Sequence, residues 1–156
     1  MSQEISEKYV TLTGVADVTI GAVDGRKILL AYGFEFDHNE GPHLSEWGAT
    51  TEDSPTGEAK ATVFEVSDNL TLRKMFGALS RDISAMCLTK SQIGTFLEAN
   101  QSLLRRESPL FLLFRRNGHF FVAKATRDTV TKLKVLRFED ERGWFGSLKP
   151  RLVIPG

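Results

Sequence analysis

The chain has 156 residues, 41% hydrophobic and 26% charged, with 20 Lys and Arg against 20 Asp and Glu; this is the composition of one folded domain and excludes the weakly hydrophobic, highly charged regime of disordered chains. No apolar run approaches the roughly 18–20 residues a membrane helix needs, and the start, MSQEISEK, lacks a secretory layout, so a cytoplasmic protein without membrane contact is expected. The neutrality is a sum of opposed blocks: residues 1–78 hold 6 Lys and Arg against 13 Asp and Glu, and residues 79–156 hold 14 against 7.

That asymmetry allows two outcomes. Either the acidic half folds against the basic half, or the basic half presents a positive face to an acidic or phosphate-bearing partner.

In chain order, YVTLT at 9–13 and VADVTI at 15–20 are strand-like, rich in Val, Thr and Ile. Asp24-Gly25 before KILLAYGFEF is a hairpin signal, because Gly tolerates the positive φ of tight turns, so the first third predicts a β meander. Residues 37–60 form a long acidic loop with only Leu44 and Trp47 as large apolar anchors, and Trp47 is expected to dock on the core. After a strand at 61–66, Asp68 or Asn69 caps a short helix through Leu72, Met75, Phe76 and Leu79.

The second helix has the clearest start. Thr89 and Gln92 form a capping box, Leu88 can staple onto Ile93, and Ile93, Phe96, Leu97, Asn100 and Leu104 share a face. Arg105 and Arg106 close it beside the negative end of its dipole. LFLLF at 110–114 and HFFVAKA at 119–125 flank Asn117-Gly118, a two-residue hairpin turn. Both strands are apolar on both faces and therefore central, needing two covers. Those covers are two helices with the amino-terminal meander, or a second copy in a homodimer. KLKVLRF at 132–138 is a further strand, and LVI between Pro150 and Pro155 reads as an edge strand. The fold class expected is α+β: a mainly antiparallel sheet with two short helices, in a single domain 1–156 made of a strand and loop portion (1–66) and a helix-helix-sheet portion (67–156).

Three groups of residues carry candidate chemistry. Asp37, His38, Glu40 and His43, with Glu35 and Glu46 nearby, are of metal-ligand type and would suit a divalent cation; Glu40 could then activate water. His38 and His43 are separated by Gly41-Pro42 and cannot share a helix face, and no cofactor motif accompanies them. Arg115, Arg116, His119, Lys124, Arg127, Lys132 and Lys134 are interleaved with phenylalanines, the pattern of a nucleic-acid platform. NGHFFVAK matches the RNA-recognition signature at Gly118, Phe121 and Val122 but departs from it at His119, Phe120 and Lys124. In the competing reading Phe111, Phe114, Phe120 and Phe121 are core and the cations solubilise its rim. Cys87, between Met86 and Leu88, is expected as a buried reduced thiol. No Walker loop, GxGxxG or GxSxG occurs, and Glu139-Asp140-Glu141 reads as a solvated turn.

Residues 88–154, with LTKSQIGTFLEANQSLLRR, LFLLFRRNGHFFVAK, LRFEDERGW and RLVIP, resemble a loosely similar group of uncharacterised bacterial proteins. The resemblance implies a bacterial or phage-type protein with a capped helix and a Phe-rich hairpin, and brings no activity with it. The function expected is an accessory or interaction protein with a protein partner and without catalytic machinery, with nucleic-acid binding and a hydrolytic metal loop as alternatives.

Overall fold

In the computed structural model, which describes residues 3–7, 10–37, 41–144 and 148–156, with side chains from Leu12 onward, the strands are β1 (Gln3–Glu7), β2 (Val10–Ile20), β3 (Glu35–Phe36), β4 (Ala59–Val66), β5 (Leu110–Arg116), β6 (His119–Arg127), β7 (Thr131–Arg137) and β8 (Arg151–Pro155). Helices α1 (Leu44–Trp47), α2 (Leu72–Gly77) and α3 (Lys90–Ala99) lie between them. All eight strands form one sheet in the order β1-β2-β4-β8-β5-β6-β7-β3. No described helix is long and apolar enough to cross a membrane.

The sheet is mixed, which corrects the mainly antiparallel expectation: β5 runs parallel to β8, and β3 parallel to β7. The physical reason is the position of β8. Leu152 and Val153 are fully buried on opposite faces, so this short strand belongs in the middle of the sheet. Pro150 precedes it and Pro155 ends it, so neither proline removes an internal ladder donor and the edge reading fails.

The amino-terminal meander is also overturned. Residues 10–20 are one strand, bulged between Gly14 and Ala16, and its next partner is β4. Gly25 does adopt a positive φ of 84°, but its carbonyl accepts from the Asp53 amide at 2.8 Å, so the turn joins the long loop rather than a hairpin. Leu29–Tyr32 forms a 3₁₀ turn against α3, with the Tyr32 hydroxyl 3.2 Å from the Ser91 carbonyl and 3.1 Å from Thr95 Oγ1. Contacts with a distant helix outweigh strand propensity there. Of the two helices expected, only α3 extends beyond six residues; α2 is capped by Thr71, not by Asp68 or Asn69.

Local signals are obeyed elsewhere. The Thr89–Gln92 capping box forms, and Asn117 and Gly118 turn the β5–β6 hairpin at φ of 51° and 78°. The period-two alternation of β5 sends Leu110, Leu112 and Phe114 to one face and Phe111 and Leu113 to the other, all buried. Ile93, Phe96 and Leu97 of α3, with Leu29 and Trp47, cover the first face. Leu72, Met75 and Phe76 of α2, with Met86 and Phe138, cover the second. Phe111, Phe114 and Phe121 lie fully inside and Phe120 partly so. Both covers come from the chain itself, which removes the doubly apolar hairpin as an argument for a homodimer.

The acidic half closes on the basic half. Asp53 pairs with Lys90 at 2.8 Å, Glu35 with Lys132 at 3.7 Å and Asp37 with Lys134 at 3.9 Å, while Glu46 and Arg137 form a bidentate pair. The Asp53–Lys90 pair is buried, and the same carboxylate accepts from the Ser91 amide at 3.0 Å in the first turn of α3.

Two outcomes are expected in urea unfolding. Asp53→Ala strands the Lys90 ammonium and should cost about 3–5 kcal/mol. Gly94→Ala should lower stability despite the better helix propensity of Ala, because the added methyl would meet the Tyr32 ring 2.6 Å from its Cζ.

Candidate functional site

Alternation along β6 and β7 aligns Lys124 with Lys134 as cross-strand partners, and aligns Phe111 of β5 with Lys124, on the α2 face of the sheet. The segment after β7 returns to this face, fixed by reciprocal amide-carbonyl bonds between Leu70 and Trp144 of 3.1 and 2.8 Å. The Trp144 indole then packs edge-on to Phe111, with centroids 5.1 Å apart. Lys124 Nζ lies 5.1 Å from the indole centroid and the Arg142 guanidinium 5.9 Å, within cation–π range.

The electrostatics of this cluster are one-sided. Burial lowers the Lys124 pKa below its ordinary 10.5, the Lys134 charge lowers it further, Asp37 opposes the shift and Arg142 adds to it. Lys134 is buried and has Asp37 within ion-pair distance. The Trp144 Nε1–H is buried without an acceptor among the described residues. Lys124, Lys134 and Arg142 gathered beside an indole face make a receptor for a negatively charged group.

The other nucleic-acid candidates are not brought together. Arg115 lies on the same face as Lys124, but at the hairpin end, donating to Ser84 Oγ at 3.1 Å. Lys132 also projects there and pairs with Glu35. Arg116, His119 and Arg127 belong to the opposite face: Arg116 donates to Thr51 Oγ1 at 2.7 Å, His119 is exposed beside it, and Arg127 donates to Thr131 Oγ1 at 2.8 Å on the rim of a 150 Å³ cavity. The seven residues are thus divided between two faces. Phe121, the ring at the matching RNA-recognition offset, is interior.

The metal candidates are partly committed elsewhere. Asp37 faces Lys134, and His43 caps α1, its Nδ1 accepting from the Ser45 amide at 3.3 Å. His38 and Glu40 lie outside the described residues. Among the described residues no three ligand-type side chains converge. Burial pushes the Cys87 thiol up to about 11, against the pull of Arg115 and with a smaller push from Asp82; its Sγ lies 3.7 Å from the Ile83 carbonyl. The thiol is therefore protonated at neutral pH.

Sequence reasoning singled out Lys124 and Lys134, and set Arg142 and Trp144 only among the cations and aromatics of a nucleic-acid platform, without joining them to Lys124. The available signal was a large aromatic inside the charged stretch EDERGWFG, where an exposed ring would be unusual. No family model matches the chain, and no curated protein or solved structure matches it.

Two measurements follow from these environments. Lys124 binds its proton less tightly folded than unfolded, so its cost is full below the folded pKa and fades as pH rises toward 10.5. Lys124→Met should therefore be more stable than the wild type at pH 7, with the gap closing as pH rises; a gap independent of pH would contradict the assignment. Cys87 should react with a thiol-specific disulfide reagent far more slowly at pH 7 than after unfolding.

Proposed function

We propose that the protein is a small accessory protein of bacterial or phage type that works by binding, docking an acidic segment of a protein partner against Lys124, Arg142 and Trp144. The observation that carries this reading is the half-buried Lys124, enclosed by like charges and by the indole face of Trp144. Tryptophan and arginine next to a desolvated charge are the residue types that dominate binding energy at protein interfaces. The geometry favours a local acidic segment over a polynucleotide, because the remaining cations are divided between two faces and several are held by the acidic half. A phosphate backbone is neutralised along a continuous track of cations.

Fluorescence anisotropy with a labelled oligoglutamate peptide, and with a single-stranded oligonucleotide of matched length, tests the reading. The peptide should bind with an affinity that falls as salt is added. Lys124→Ala and Trp144→Ala should each weaken it roughly tenfold, about 1.4 kcal/mol, while Arg127→Ala on the other face leaves it unchanged. Tighter binding of the oligonucleotide, or peptide binding indifferent to both substitutions, would reject the proposal.

A further inference from the structure

A second cationic site lies on the opposite face, away from Trp144. Arg151 opens β8, and alternation with Leu152 turns its side chain toward the α3 side of the sheet. There it runs beneath the turn that follows α3, donating through Nη1 to the Leu103 carbonyl and through Nη2 to the Ser108 carbonyl at 2.9 Å. The residue is 4% exposed, and its Nε–H is buried with no acceptor among the described residues. Glu65 is its cross-strand neighbour but forms no ion pair with it among the described residues. Buried guanidinium groups are ordinarily matched by an anion. Here two carbonyls supply only partial charge.

The turn that Arg151 anchors carries Arg105 and Arg106, both exposed and making no side-chain bond among the described residues. These two arginines, with Glu107, Ser108 and Leu148, line a cavity of about 380 Å³ that is broadly open to solvent. Next to the lining residue Leu148, Lys149 sits at φ 51°, an uncommon backbone state, and the Ser108 hydroxyl donates to its carbonyl at 2.7 Å. Left-handed residues with side chains are retained where surroundings over-determine them, frequently at ligand clamps. Leu148, 42% exposed, presents an apolar wall beside the guanidinium groups.

We propose that this cavity binds a phosphorylated small molecule bearing hydroxyl groups, of the sugar-phosphate class. Arg105 and Arg106 hold the phosphate, whose oxygens match the planar donor fork of a guanidinium. Glu107 accepts from ligand hydroxyls, and Leu148 packs against the carbon frame. The volume exceeds what phosphate alone requires and falls within the roughly 300–1,000 Å³ of small-molecule sites. Arg151 touches no ligand; it is a positioning residue that fixes the turn and adds positive potential from below.

The test is an NMR titration of the full chain, following the arginine Nε–Hε signals with a pentose 5-phosphate, inorganic phosphate, the unphosphorylated pentose and sodium chloride at matched ionic strength. The pentose phosphate should shift the Arg105, Arg106 and Arg151 signals saturably. Inorganic phosphate should bind more weakly, and the free pentose and chloride should leave the signals in place. Arg105→Gln with Arg106→Gln should lose at least tenfold in affinity while the unliganded melting temperature stays unchanged. Leu148→Ser should weaken the pentose phosphate and spare inorganic phosphate. Equal affinity for inorganic phosphate and the ester would overturn the sugar-phosphate assignment, and shifts no larger than those in chloride would overturn the site.

Discussion

From Leu110 to Phe114, strand β5 offers no polar side chain to either face of the sheet, and the rest of the molecule is arranged around that constraint. A strand apolar on both faces must be covered twice, and a chain of this length has few residues to spare for the task. The polypeptide answers by threading α2 over one face and α3 over the other between β4 and β5. Neither helix is long, so both covers borrow from other segments. Trp47 reaches across from the long acidic segment to pack edge-on against Phe114, with centroids 6.1 Å apart, and Phe138 closes the other side against Phe76 at 6.1 Å.

The ordering of the acidic loop follows from that apolar anchor, and the charge pairing follows from the ordering. With Trp47 seated, Glu46 lies against Arg137 and Thr51 against Arg116. An exposed ion pair such as Glu46–Arg137 adds little stability by itself, but together with the part-buried Arg116–Thr51 hydrogen bond it fixes which part of the loop meets which strand. The buried Asp53–Lys90 pair is different in kind. It ties the loop to the first turn of α3, where the carboxylate also meets an amide that the helix cannot satisfy internally. The net charge of zero is the sum of two blocks joined in one sheet, with Lys90, Lys132, Lys134 and Arg137 of the basic block paired to carboxylates of the acidic one.

What the sequence made legible was local chemistry. The capping box of α3 and the Asn117-Gly118 turn depend on residues within a few positions of one another, and the alternation of β5 needs only the period of a strand. Hidden were the features decided by remote partners. LLAY at 29–32 has strand propensity but lies against α3, and the insertion of β8 between β4 and β5 depends on two faces that its own residues do not reveal. The same limit applied to the sites. Lys124 and Lys134 stood out as basic strand residues, yet their distinction from Lys132 arises from Trp144 and Arg142, supplied by a later segment. Arg151 resembled any other cation near the chain's end until β8 was placed inside the sheet.

Contrast among the buried cations shows where binding capacity remains. Lys90 has a carboxylate at 2.8 Å, and its desolvation is offset within the fold. Lys124 is half-buried and Arg151 buried, neither with a carboxylate in ion-pair contact among the described residues: one has an indole face, flanking positive charge and a longer-range attraction from Asp37, the other two carbonyls and an unused Nε–H. An apolar side chain of similar size would fill either position at less electrostatic cost. A cation already stripped of water and held in place by the fold gives an incoming anion a strong interaction with little further desolvation or ordering to oppose it. Lys124 is consequently where direct recognition is best prepared, whereas Arg151 acts through the turn that presents Arg105 and Arg106.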